Sequence, residues 1–170
     1  MATPFDDPGS HCRTLLLTPG QHLWSPGDRP KFLAHVDQGL LKAVVTCDGG
    51  REYIKEFYWQ GDCFLDVLGY LANEQADHAV VAVEPCRLRT LPLPAPDSHG
   101  PWLDALFRRQ LLFKERKERL LLTLSPQQRY RHFCQEFPEL QQRLPDYLIA
   151  AYLGITAISL SRIKGRLNKG

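Results

Sequence analysis

The spacing of hydrophobic positions changes character about halfway along the chain. In the first part they fall in short β-prone runs, at 13–17, 31–36, 40–46, 52–59, 78–84 and 87–92. Between the runs stand Thr18-Pro19-Gly20, Ser25-Pro26-Gly27-Asp28 and Asp48-Gly49-Gly50. Proline presets one turn dihedral and glycine accepts a positive φ, so these segments predict chain reversals. Short strands at this spacing predict an antiparallel sandwich or barrel. One stretch interrupts them: residues 64–73 carry apolar side chains at 64, 65, 67, 68 and 71, the spacing of a short helix. Leu91-Pro92-Leu93-Pro94-Ala95-Pro96 then closes this part, because its prolines remove backbone donors and fix φ.

Beyond that joint the spacing is helical. Residues 102–124 contain no Gly or Pro and are rich in Leu, Lys, Arg and Glu. They predict one helix of about six turns. Its apolar residues, among them Trp102, Leu103, Leu106, Leu111, Leu112, Phe113, Leu120 and Leu122, cover more than one stripe. A helix with so wide an apolar surface is expected to pack on its own domain and on a second copy of the chain. Ser125 and Pro126 open another helix as N-cap and first helical residue. That helix is expected to run to Phe137 and to stop before Pro138.

Residues 146–169 read as two short helices broken by Gly154. Ile149, Ala150 and Leu153 give the first an apolar face, and small Ala150 lets a crossing helix approach. Gly154 supplies the positive φ that ends the first helix. Ile155 plugs the turn and Thr156 caps the second helix. Leu160, Ile163 and Leu167 form the inward stripe of that helix. Ala157, Ile158, Ser159, Ser161, Arg162, Lys164 and Arg166 are left for its outer surfaces, which carry bases and hydroxyls but no acid. Two short helices joined by a glycine turn, the second basic on its outside, predict a helix-turn-helix.

Charge supports a division of labour. Residues 1–98 hold 8 Lys/Arg against 13 Asp/Glu, whereas residues 126–170 hold 7 against 3. An acidic front and a basic tail suggest two modules, the second facing a polyanion. With 44% hydrophobic and 24% charged residues the chain can bury a core. No apolar run approaches the ~18 residues of a membrane span, and the first twelve residues lack a basic, apolar secretion leader. A cytoplasmic protein with no membrane partner is expected. Five cysteines, at 12, 47, 63, 86 and 134, include no CxxC pair and read as small buried hydrophobes in a reducing compartment. The six histidines, at 11, 22, 35, 78, 99 and 132, form no HxH or HxxH pair, so no metal site is expected.

The string from Ile149 to Leu167, IAAYLGITAISLSRIKGRL, resembles the C-terminal signature of the catabolite-activator/fumarate-nitrate-regulator (CRP/FNR) superfamily of bacterial transcription factors. Gly27-Asp28, Gly39, Asp48-Gly49-Gly50 and Gly61-Asp62 fall where that family's β-roll places its turn glycines, and the 102–124 helix falls where it has its dimerisation helix. The resemblance implies an α+β fold. It consists of an N-terminal antiparallel β-roll of the cyclic-nucleotide-binding-like, double-stranded β-helix type (1–98), a long linker and dimerisation helix (99–124), and a C-terminal helix-turn-helix (125–170). The last is winged-helix-like with a truncated wing, since the sequence ends at Gly170. It further implies a homodimer that binds double-stranded DNA. Arg162 matches the family arginine that reads guanine, and Ala157, Ile158 and Ser159 hold the other groove-facing positions of a recognition helix spanning 157–168. Many relatives carry a glutamate where Ile158 stands, so the target site is expected to depart from the family consensus. Thr156, Ser161, Lys164, Arg166 and Lys169 are candidates for phosphate contacts.

The family's phosphate cassette uses a glycine, a glutamate for the ribose and an arginine followed by Ser or Thr for the cyclic phosphate. Here the segment reads Gly61-Asp62-Cys63-Phe64-Leu65-Asp66 and, after the helix, Gln75-Ala76-Asp77-His78-Ala79. Leu65 stands for the glycine, Asp66 for the glutamate, and Asp77-His78 for the arginine and its neighbour. Loss of the arginine removes a charge-assisted bidentate bond and the aspartate adds repulsion, with no compensating cation visible nearby. The effector-pocket candidates are therefore Gly61, Asp62, Leu65, Asp66, Asp77 and His78, with no cofactor and no standard cAMP binding expected. No enzyme is expected either, because the cysteines and Ser10, Ser25 and Ser98 lack elbow glycines or a patterned base. An alternative is a ligand-binding or interaction module of the same fold that does not bind DNA. Activation of transcription would call in addition for an RNA polymerase contact, for which no loop stands out.

Overall fold

The computed structural model describes residues 4–6, 11–98 and 100–167. Ser10, His99, Asn168 and Lys169 lie outside them. The chain divides into two compact units, Met1–Thr46 with Lys55–Arg109 and Cys47–Ile54 with Gln110–Gly170.

The first unit is built from β1 (Arg13–Leu17), β2 (His22–Trp24), β3 (Phe32–Gln38), β4 (Leu40–Thr46), β5 (Glu52–Trp59), β6 (Cys63–Phe64), α1 (Val67–Ala72), β7 (Ala79–Ala82) and β8 (Cys86–Pro92). Two four-stranded sheets form, in the orders β1-β8-β3-β6 and β2-β7-β4-β5. The pairings of β1 and β3 with β8, of β3 with β6, and of β2 and β4 with β7 are antiparallel. β7 is buried along its whole length, and Trp24, Ala34, Val36, Leu41, Phe64, Val80 and Leu88 of the two sheets make one core. Aromatic rings fill its centre. Tyr58 stacks on Phe64 with centroids 3.8 Å apart, and Trp24 lies 5.8 Å from Phe64. Burying one such side chain contributes about 1.5–3 kcal/mol. A second cluster gathers Phe5, Leu33, Leu65, Tyr70 and Leu91 under Leu103 and Leu106, which belong to the first turns of α2 (Pro101–Thr123). The turn glycines at 27, 39, 49, 50 and 61 all have positive φ.

Two strands went unanticipated, β2 and β6, and the helical interruption is shorter than expected. Phe64 and Cys63 pair with Ala34 and His35 of β3. They are therefore strand, and only Val67–Ala72 is helix. Apolar residues at 64 and 65 fit a helical spacing equally well, but pairing with a neighbouring strand decides the outcome. Of the cysteines, Cys63 and Cys86 are buried as expected, Cys12 and Cys134 are half-buried, and Cys47 is exposed.

The second unit holds the C-terminal half of α2, then α3 (Pro126–Glu136), α4 (Pro138–Arg143), α5 (Asp146–Tyr152) and α6 (Ala157–Leu167). Ser125 caps α3 with a capping box: its hydroxyl accepts from the Gln128 backbone N–H, and the Gln128 side chain accepts from the Ser125 N–H at 2.9 Å. Phe133, Phe137 and Tyr152 form the aromatic centre, with Phe133 lying 5.6 Å from each of the other two rings. The Lys117 ammonium lies 3.7 Å from the Tyr152 ring centroid and donates to the Ile54 carbonyl at 3.0 Å, which joins residues 47–54 to this unit. A helix stop was expected before Pro138. The helix does stop there, but a new one begins on that proline, because the first helical position needs neither its missing N–H nor another φ. Leu140 and Leu144 anchor it in the core.

Candidate nucleic-acid interface and sensor roll

α5 and α6 are inclined at 104° to each other, inside the range of a helix-turn-helix. Gly154 makes the turn with φ +69°, and the Ile155 N–H closes it on the Ala150 carbonyl at 3.0 Å. Thr156 caps α6, its hydroxyl accepting from the Ser159 N–H at 3.1 Å. Leu148, Ile149, Ala150, Tyr152 and Leu153 are buried from α5, and Leu160 and Ile163 from α6. The expected inner stripe is thus present, but wider on α5, and Leu167 is half-buried.

What remains outside is the expected outer set. Thr156, Ala157, Ile158, Ser161, Arg162 and Arg166 are exposed, and Ser159 is half-buried. Ile158 is 67% exposed. Arg162 and Arg166 make no ion pair among the described residues. The first turn of α6 contains no acid, so its backbone N–H groups can meet an anion. A helix with its side chains is about 10–12 Å across, the width of a DNA major groove at about 12 Å. Lys164 departs from expectation. It is half-buried, and its ammonium lies 2.8 and 3.0 Å from the carboxylate oxygens of Asp146, so an acid from α5 reaches the outer face. Arg129, which sequence reasoning missed, donates to three backbone carbonyls beside this motif; its spacing to them carries no local signal.

The effector-pocket candidates of the roll occupy separate settings. Gly61 and Asp62 make a turn: the Gly61 N–H bonds the Val36 carbonyl at 2.9 Å, and Asp62 Oδ2 accepts from the Trp59 N–H at 3.0 Å. Burial raises the Asp62 carboxyl, partly offset by that bond. Leu65 is core, packed with Leu33, Leu103 and Leu106. Asp66 is buried at the start of α1, and its Oδ2 has no hydrogen-bond partner among the described residues.

Asp77 and His78 do meet. His78 Nδ1 lies 2.6 Å from Asp77 Oδ1, and the buried imidazole packs edge-on against Trp24. Lys55 Nζ lies 2.9 Å from the same oxygen. The compensating cation that the sequence did not reveal is therefore Lys55, on a neighbouring strand. Burial works to raise the Asp77 carboxyl, but the bonds from Lys55 and His78 outweigh it and hold it below the usual range. Burial and the Lys55 charge push the imidazole of His78 down, against the pull of Asp77. The candidate residues thus present a carboxylate already paired with Lys55 and His78, while Leu65 is part of the core.

The fold, a β-roll followed by a long helix and a helix-turn-helix, is similar to that of solved regulators of the CRP/FNR family. No family model and no curated protein matches the sequence. Among solved structures, FixK2 from Bradyrhizobium japonicum is similar over 93% of this chain and 85% of its own, at TM-score 0.73 and 17% identity. A CRP/FNR-family transcriptional regulator from Thermus thermophilus is similar over 92% of this chain and 86% of its own, at TM-score 0.73 and 18% identity. The c-di-GMP-responsive global regulator CLP of Xanthomonas campestris is similar over 94% and 87%, at TM-score 0.71 and 15% identity. Among the described residues no single helix is long and apolar enough to cross a membrane.

Proposed function

We propose that this chain is a homodimeric, sequence-specific DNA-binding transcription regulator, and not an enzyme. The observation that carries the reading is α6: a capped helix, apolar inside, whose exposed face presents Ile158, Ser161, Arg162 and Arg166. Arg162 is assigned to a guanine, whose O6 and N7 suit a guanidinium fork, and Ile158 to a thymine methyl. Thr156, Ser161 and Arg166 are assigned to phosphates. Two copies joined through α2 would present their recognition helices about 34 Å apart, to an inverted repeat. The protein works in the cytoplasm, without a membrane, and any activating role adds RNA polymerase as a partner.

The roll senses an effector other than cAMP bound in the standard way, with no cofactor assigned. Asp77 in the arginine position supports this, as does the filling of the roll interior by Trp24, Tyr58 and Phe64. CLP, with the same fold, is a c-di-GMP-responsive regulator, so this architecture is not tied to cAMP.

The test is selection of bound sites from random duplexes, followed by mobility shift. The expected result is an inverted repeat bound with an affinity that falls steeply with salt. Arg162→Ala should cost about 1–3 kcal/mol on the selected site and leave weak nonspecific binding. Full sequence discrimination by Arg162→Ala would overturn the role of that residue. Failure of the wild type to select any sequence would overturn the function.

A further inference from the structure

Arg129 stands in the first turn of α3, where a cation is opposed by the positive end of that helix's own dipole. Its guanidinium is engaged elsewhere. Nε donates to the Leu124 carbonyl at 2.9 Å, one terminal nitrogen to the Leu121 carbonyl at 2.6 Å, and the other to the Leu153 carbonyl at 3.1 Å. Leu121 lies in the last turn of α2 and Leu124 just past its end. Leu153 is the C-cap of α5, immediately before the glycine of the helix-turn-helix. The last four carbonyls of a helix have no intrahelical partner and carry the negative end of its dipole. One planar fork therefore serves the exposed carbonyl ends of two helices at once, and charge-assisted bonds of this kind are about twice as strong as neutral ones.

The contact has a directional consequence. α2, through which two copies are proposed to join, carries the exposed Leu111, Leu112 and Leu122, and α5 is the helix on which α6 rests. We propose that Arg129 is a positioning residue that clasps the turn of the helix-turn-helix to the end of α2, and so fixes the aim of the recognition helix relative to the dimer axis. The proposal rests on the DNA-binding reading, and deepens it by naming what sets half-site spacing. Lysine cannot replace it, because a single ammonium on a flexible stem cannot hold three carbonyls in a planar fork.

Two measurements on the full chain test the clasp. The first pairs spin labels at positions 119 and 161, attached by non-cysteine chemistry because Cys47 is exposed, with labelled protein diluted into unlabelled. Wild type should give a narrow distance distribution and Arg129→Gln a broad one, with Arg129→Lys failing to restore the narrow form. The second follows binding to inverted repeats of varied spacing. Wild type should lose at least about tenfold in affinity when the half-sites move two base pairs from a spacing of about 10 base pairs. Arg129→Gln should flatten that profile while each half-site keeps its Arg162-dependent base preference. An unchanged distance distribution would overturn the clasp. So would a kept spacing profile, or loss of base preference together with spacing, which marks a residue that merely holds the motif folded. If wild type selects no DNA, the regulator reading fails and the spin-label result alone decides the clasp.

Discussion

Lys164 of α6 reaches back to Asp146 at the start of α5, with its ammonium 2.8 and 3.0 Å from the two carboxylate oxygens. The pair spans the helix-turn-helix, is about half exposed, and ties up a charge that the proposed DNA binding would turn towards a phosphate. Exposed ion pairs contribute about 0.2–1 kcal/mol, so little stability is at stake. Each phosphate contact, however, raises the salt dependence of DNA binding by about one counterion. Asp146→Asn should therefore leave the melting temperature nearly unchanged and tighten nonspecific binding. It should also steepen the slope of log K against log salt by about one. An unchanged slope would mean that Lys164 does not touch DNA even when released.

Leu111 and Leu122 lie on one line of α2, since eleven residues make about three turns. They are 60% and 78% exposed, and Leu112 beside them is 57% exposed. A line of bare leucines on a helix whose other face is packed is the surface assigned to a second copy. Leu111→Glu with Leu122→Glu should give a monomer in sedimentation velocity and abolish tight binding to an inverted repeat. Because both positions are exposed within the chain, its own unfolding should change little beyond the loss of dimer linkage. A dimer that survives both charges would place the interface elsewhere.

The helix-turn-helix was legible because its signals are local: a glycine with positive φ, a threonine cap, and apolar steps of three and four at Leu160 and Ile163. The strands at 13–17, 40–46 and 52–59 were legible for the same reason. Residues 63 and 64 were not, because a two-residue strand has no period and exists only through its pairing with β3. Pro138 read as a stop and is also a start, since the same ring ends one helix and suits the first turn of another. The Lys55–Asp77 pair, 22 residues apart, and the Arg129–Leu153 bond, 24 apart, depend on how distant segments are brought together. No local pattern announces either. For this reason the outer face of α6 could be read residue by residue, whereas the electrostatics of the roll could not.

Gly69 in α1 lies against the buried Asp66. A Cβ built there would stand 2.3 Å from Asp66 Oδ2 and 3.3 Å from the Glu74 carbonyl oxygen. The carboxylate has little room to yield, as Asp66 is 3% exposed. Gly69→Ala should destabilise the first unit by about 1–3 kcal/mol, the usual range for overpacking. Asp66→Ala removes an oxygen that has no hydrogen-bond partner among the described residues, so by itself it should cost little. The double variant should regain most of the stability lost in Gly69→Ala. Strict additivity of the two changes in urea unfolding would show that they do not collide.

His78 makes the stability of the roll depend on pH. Its folded value lies below the ordinary 6.5 because burial, and then the Lys55 charge, disfavour the imidazolium, although Asp77 favours it. Below pH 6.5 the unfolded chain therefore binds a proton that the folded chain refuses. Stability is full above that value and declines as pH falls towards the folded one. Asp77 acts in a different window. Its folded carboxyl lies below the ordinary 3.8, so its contribution is complete above that value and is lost only in stronger acid. Between pH 7.5 and 5.5 the roll should lose stability through His78 and not through Asp77. Trp24, Trp59 and Trp102 all belong to the first unit, so tryptophan fluorescence in urea follows its unfolding. His78→Gln keeps a polar side chain beside Asp77 but cannot be protonated, and should remove this part of the pH dependence. Parallel losses in wild type and variant would show that the acid sensitivity arises at another group.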